Sequence, residues 1–342
     1  MPPMRTLLRV LVVGAFAAGC ASSRVPPAPP SIAPAAPQLF DFRADLWPNL
    51  HQLLFHEALL PREGFAGPKS LAHRSFAPMD ALSPDEGAAW RAAVGYYGAH
   101  FTTHSMFTDE FMAATRGLTA AGSAPALPPD AGVAAEWRAL LGPAGAVYRA
   151  RFWPAHDATD RAYAEAMRPL VAAHGAWLAS RLAAVYQTAW PTEPVLVEVT
   201  PVVAPFGAAT LGEPPFVGVH APLITISSND PGYAGDSGLE MLFHEASHLL
   251  VDKVEGALDA SAKRQGRTLP RGLWHFVIFY TAGHVTQERL GPSYLPYAER
   301  QEHHIFDGDA AALLPLLQRT WQPYLDGRTT LDAAIDAIVA GL

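Results

Sequence analysis

Apolar residues recur at helical spacing through most of the chain, and that pattern changes once. Leu50, Leu53, Leu54, Ala58 and Leu59 make one apolar side and predict a helix after Pro48. Ser83-Pro84-Asp85-Glu86 is a helix start: Ser83 caps, Pro84 takes the first turn and Glu86 completes a capping box. That helix runs through Trp90, Tyr96 and Tyr97. Pro128 to Leu141 and Ala144 to His156 read as further helices, and Asp157 to Trp190 as one long one. At Pro191 the period shortens. Val195 to Val203, Phe216 to Val219 and Leu223 to Ser228 are β-branched runs bounded by Gly and Pro, which predicts a small sheet of about three strands. Helical spacing then returns in Leu239, Met241, Leu242, Leu249 and Leu250. With no proline before Pro270, this helix is expected to run on to about Gln265. A turn at 266–270 leads into a return helix, Leu273 to Leu290. Trp321, Leu325, Leu331, Ile335 and Ile338 give the tail two helices separated near Gly327, with a core role. The expected fold class is α+β, mainly α, with a helical region at 39–190 and a sheet-plus-helix region at 191–342.

The first 38 residues carry a different pattern. Arg5 and Arg9 precede an apolar run, Val10 to Phe16, that is too short to span a bilayer. Small residues follow, then Cys20, the one cysteine of the chain. Ala17-Ala18-Gly19-Cys20 resembles a bacterial lipoprotein signal. The resemblance implies a signal peptide at 1–19, lipid on Cys20, and an exported protein anchored in the cell envelope, in the periplasm or at the outer membrane. Residues 20–38 include a Pro/Ala run, RVPPAPPSIAPAAPQ, which reads as an extended tether. One cysteine allows no disulfide within the chain.

Half the residues are hydrophobic, enough for a sizeable core, and the net charge is −8 without a basic run. Nothing in that balance points to nucleic acid.

The chemistry concentrates in Met241–Val251, MLFHEASHLLV. His244 and His248, four apart, share one face of a helix and can grip one metal ion; Glu245 beside the first can take a proton from a water. Other histidine pairs are weaker. His51 and His56 are five apart and share no face, and His100 and His104 have no carboxylate beside the first. Both pairs are read as structural.

Strands leading into an H-E-x-x-H helix resemble the zinc metallopeptidases called zincins, and their gluzincin branch in particular. The resemblance covers roughly Val195 to Leu290. It implies a zinc ion on His244 and His248, Glu245 as general base, and a peptide or protein substrate. It also implies that the strand before the helix, here Leu223–Ser228, lines the cleft and pairs with the substrate. The metzincin extension is absent, since Val251 and Val254 stand where its Gly and last His would be.

A catalytic zinc usually has three protein ligands. In gluzincins the third is a Glu on a later helix, and the candidates here are His284, Glu288 and His275. If the His248 helix continues to Gln265, the return helix meets the level of His248 near Glu288, with His284 one turn short and His275 about 20 Å away. His284 is the expected ligand on that basis, Glu288 the next. If the helix breaks at Asp252 or Gly256, His275 is the natural choice. Tyr280, Tyr294, Tyr297, His303 and His304 are candidates to stabilise an oxyanion, with Ser293–Tyr297 favoured by its place after the return helix. Two other functions fit the same pattern: an exported zincin scaffold that binds without hydrolysis, and a zinc hydrolase acting on another bond.

Overall fold

Two of the expected strands are the middle of a four-stranded sheet. The computed structural model describes residues 38–60, 74–103, 106–129, 131–212 and 222–342. Its strands are β1 (Phe40–Arg43), β2 (Val195–Thr200), β3 (Ala208–Leu211) and β4 (Leu223–Ser227), in the order β1-β2-β4-β3. β2 pairs in parallel with β1 and with β4, Leu196 opposite Leu223 through Thr200 opposite Ser227; β3 is antiparallel to β4. Every residue of β2 and β4 is buried, because both faces are covered. That burial explains their continuous apolar runs.

The sheet differs from the expected one in two respects. β1 and β3, four residues each, were too short to stand out as patterns. In addition, Leu223–Ser228 is interior and not at the cleft, because β3 covers it and takes the edge. The expected strand at 216–219 lies outside the described residues, as do the signal segment, Cys20 and the tether.

The helices are α1 (Leu46–Leu59), α2 (Pro84–His100), α3 (Asp109–Ala121), α4 (Ala135–Arg151), α5 (Trp153–Tyr186), α6 (Gly235–Ser247), α7 (Asp252–Gln265), α8 (Leu273–Leu290), α9 (Leu313–Thr320), α10 (Gln322–Leu325) and α11 (Leu331–Ala340). The fold is thus α+β, mainly α. Ser83 and Glu86 form the expected capping box at the start of α2. The expected break near Pro143 is absent, and Pro143 lies inside α4.

Helices α1–α4 enclose one aromatic core around Trp90, Tyr97, Phe111, Trp137 and Tyr148. A second core fills the space between the sheet and α5–α11. Helix α5, 34 residues and about 51 Å long, touches α4 at one end and packs on β2, α6 and α8 along its length. Residues 38–342 therefore form one compact unit, with β1 from the helical first half in the same sheet as β2. Trp321 is fully buried and donates its indole N–H to Thr281 Oγ1 at 2.9 Å, so the tail is core as expected. Among the described residues no helix is long and apolar enough to cross a membrane.

His51 and His56 have structural places in α1. His56 Nε2 lies 2.9 Å from the Arg74 carbonyl. Thr115 gives its hydroxyl proton to the Phe111 carbonyl, so His51 Nε2–H donates to Thr115 Oγ1 and Nδ1 accepts from Tyr97. Only the neutral ring satisfies both contacts, and burial pushes the His51 pKa down to about 3. Unfolded, it titrates near 6.5. Between those values the unfolded state binds the extra proton, so stability falls as pH drops below about 6.5. At pH 5 this group alone should remove about 2 kcal/mol. Urea midpoints at pH 7.5 and pH 5 test this: His51→Gln should have the shallower pH dependence, and an unchanged dependence would refute the assignment.

Candidate metal centre

The helix carrying His244 does not run on to Gln265. It ends at Ser247, and α7 starts at Asp252. In between, the backbone tightens to i→i+3 bonds: His248 N–H to Glu245 O, Leu249 N–H to Ala246 O and Leu250 N–H to Ser247 O. One hydroxyl competes for a carbonyl at this point: Ser247 Oγ donates to Phe243 O at 2.8 Å. A side chain that bonds back to a helix carbonyl disturbs the helix, and this one is interrupted just after its second histidine.

The interruption decides which residue joins the pair. Gly272, in the left-handed conformation at φ 71°, starts α8 beside α6, and His275 sits in the first turn of α8. The ligand-type atoms of His244, His248 and His275 all lie within 4.8 Å of one another. His244 Nε2 and His275 Nε2 are 3.2 Å apart, and the three ring centroids are separated by 5.3, 5.1 and 5.0 Å. These three histidines could hold a metal ion.

His284, the expected third ligand, is not in this group. It lies nine residues, two and a half turns, further along α8, and its Nε2 is 2.7 Å from Glu299 Oε1. Glu288 pairs with Arg181 at 3.0 Å. Both line a separate polar cavity with Arg181, Gln322 and Asp326. The expectation rested on a continuous α6–α7 helix, and the break at 248–251 removes it.

Electrostatics keep the three rings unprotonated. Burial lowers the pKa of His244 well below its usual value, His248 to about 3 and His275 to about 4, with the mutual proximity of the rings adding to the effect at His244 and His248. Neutral imidazoles are what a metal ion requires of its histidine ligands. Nδ1 of His244 is buried and has no hydrogen-bond partner.

Glu245 lines the same cavity. Its Oε2 accepts from Thr210 Oγ1 at 2.6 Å. Burial raises its pKa to about 7, opposed by the Thr210 bond. The cavity has a volume of about 610 Å³ and opens between β3, α6 and α8. Of the candidate donors, Tyr297 lines it. Tyr294 donates to Glu240 at 2.5 Å, Tyr280 to Gln322 at 2.8 Å, and His304 lies 2.6 Å from Asp307. His303 stacks on Tyr297 with ring centroids 3.6 Å apart.

Thr210 was not found from the sequence. Its run, Ala-Ala-Thr-Leu, is too short to announce a strand, and its contact with Glu245 spans 35 positions. No family model matches this chain, and no match was found among curated proteins or solved structures.

Proposed function

We propose that the chain is a zinc-dependent peptidase with Glu245 as general base. The observation that carries this reading is the convergence of three histidine imidazoles beside a buried glutamate in one cavity. The 3.2 Å between His244 Nε2 and His275 Nε2 suits two corners of a tetrahedron with metal–nitrogen bonds of about 2.0–2.1 Å, which stand about 3.4 Å apart. Three protein nitrogens that leave a fourth position open match a catalytic zinc better than a structural one.

His244, His248 and His275 would hold the ion. Zinc, when bound, supplies Lewis acidity, polarising a carbonyl and making a water acidic near neutral pH. Glu245 Oε2 is occupied by Thr210, so Oε1 is the atom that takes the proton and later delivers it to the leaving amine. Thr210 fixes the carboxylate while this happens. Tyr297 is the donor we assign to the developing oxyanion.

A peptide is the favoured substrate because of the sheet edge. Among the described residues β3 pairs on one side only, and it lines the cavity through Ala208, Ala209 and Thr210. An extended chain can add to such an edge through main-chain hydrogen bonds. A pure binding module has no need of a carboxylate held beside the histidines. The export signal and lipid tether read in residues 1–38 would put this activity in the cell envelope.

The test is metal-dependent proteolysis by the purified chain. Zinc near one per chain is expected, with cleavage of an unfolded protein substrate that stops with 1,10-phenanthroline and returns with added zinc. Cleavage that is unaffected by the chelator would overturn the reading.

A further inference from the structure

We propose that Phe107 and Phe206 form an aromatic subsite that selects a large apolar side chain, aromatic above all, next to the scissile bond. The proposal rests on the peptidase reading above. Large hydrophobic side chains are exposed at few places among the described residues: Met79, Phe107, Phe206 and Leu295. Two of the four meet. The Phe107 and Phe206 rings stack, with centroids 6.4 Å apart and planes 17° from parallel, and both line the cavity of His244, Glu245, His248 and His275. They come from loops 99 positions apart in sequence, one between α2 and α3 and the other between β2 and β3. At 46 % and 55 % exposed, they contribute little burial to the fold. An exposed apolar patch continuous with a cleft marks a place where a ligand is bound.

The Phe206 loop is held in position. Tyr233 donates its hydroxyl to the Phe206 carbonyl at 2.9 Å. Gly207 follows at φ 84°, and a Cβ there would lie 2.8 Å from the Tyr233 hydroxyl. Gly207 O in turn accepts from Ser227 N–H of β4 at 2.8 Å. Phe206 is thus presented by the sheet itself, two residues before the β3 edge that we assign to the substrate backbone.

The remaining walls carry the same chemistry. Met241, Trp274, Phe279 and Ile305 line the cavity, with the phenols of Tyr233 and Tyr297. Among the described residues no Lys, Arg or Asp lines it; the charged or titratable groups there besides the tyrosines are Glu245 and the three histidines. A charged substrate side chain would lose its water and find no partner, whereas an apolar one gains burial.

The experiment uses fluorogenic peptides with one variable residue on each side of a single cleavage site, and mass spectrometry to locate the cut. Phe and Leu are expected to exceed Ala by about 10- to 100-fold in kcat/KM on one side of the bond, with Lys and Asp below Ala. Phe206→Ala should cut the Phe-over-Ala ratio about tenfold with zinc content unchanged, and Phe206→Tyr should restore the ratio. Phe107→Ala should act in the same direction. Equal rates for all residues, a preference for charge, or an unchanged ratio in Phe206→Ala would overturn the proposal. A failure of the peptidase reading is separable by calorimetry of the same uncut peptides on the zinc-loaded chain. Preferential binding of the Phe peptide without cleavage keeps the subsite and sinks hydrolysis; no preference in either measurement sinks the subsite.

Discussion

Glu245→Gln should bind zinc as the native chain does and lose turnover by about 10²- to 10⁴-fold in kcat, with KM little changed. The substitution is nearly isosteric. Its amide oxygen still accepts from Thr210 Oγ1, which lies 2.6 Å from Oε2 in the native side chain. The packing of α6 against β3 is therefore retained. The second carboxylate oxygen is replaced by an NH₂ group that cannot take a proton. Because Glu245 is buried, no side chain from solvent can substitute for it. Steady-state kinetics on one good peptide and elemental analysis of the same preparation provide both readouts. Turnover within threefold of the native rate would remove Glu245 as the base. Loss of zinc along with activity would make Glu245 a ligand, and the base would have to be sought elsewhere.

How far the sequence reaches depends on the range of the interaction. The mainly helical α+β class followed from the 3.6-residue pattern and the β-branched runs, and the capping box at Ser83 depends on four adjacent residues. His244, Glu245 and His248 are equally local, since one helical turn brings them together. Three features were not legible, each because tertiary contacts decide it. β1 and β3 are four-residue strands that exist because β2 and β4 offer them partners. Among the described residues the edge position belongs to β3 because it returns antiparallel to β4, which no periodicity announces. The expected end of α6 lies 18 residues beyond the observed one, Gln265 against Ser247, because the stretch lacks proline. The break coincides instead with the bond from Ser247, inside the motif, back to the Phe243 carbonyl and with the hold of Thr210, 35 positions before, on the Glu245 carboxylate. A serine between two metal-type histidines was the available signal, and it is a weak one, since serines bond back to helix carbonyls in many straight helices. That single break moved the third histidine from His284 to His275.

The identity of the third ligand gives the second large effect. His275→Ala should lose zinc on dialysis and lose activity with it, while His284→Ala should keep both. The contrast is informative because the two residues share one helix and one residue type. His275 brings its Nε2 to 3.2 Å from His244 Nε2, and without it two imidazoles on one turn must hold the ion alone. Loss of a ligand should weaken binding by more than the 10- to 100-fold typical of losing an outer partner. His284 directs its Nε2 to Glu299, on the side of α8 that faces a different cavity. Glu288→Ala should behave like His284→Ala, since its carboxylate is already paired with Arg181 at 3.0 Å. Circular dichroism and urea midpoints on the zinc-free proteins separate a lost ligand from a lost fold: zinc-free His275→Ala should match the zinc-free native chain. Zinc retained in His275→Ala and lost in His284→Ala would show that α6 and α7 form one straight helix in solution, and would return the site to the hairpin geometry that the sequence alone suggests.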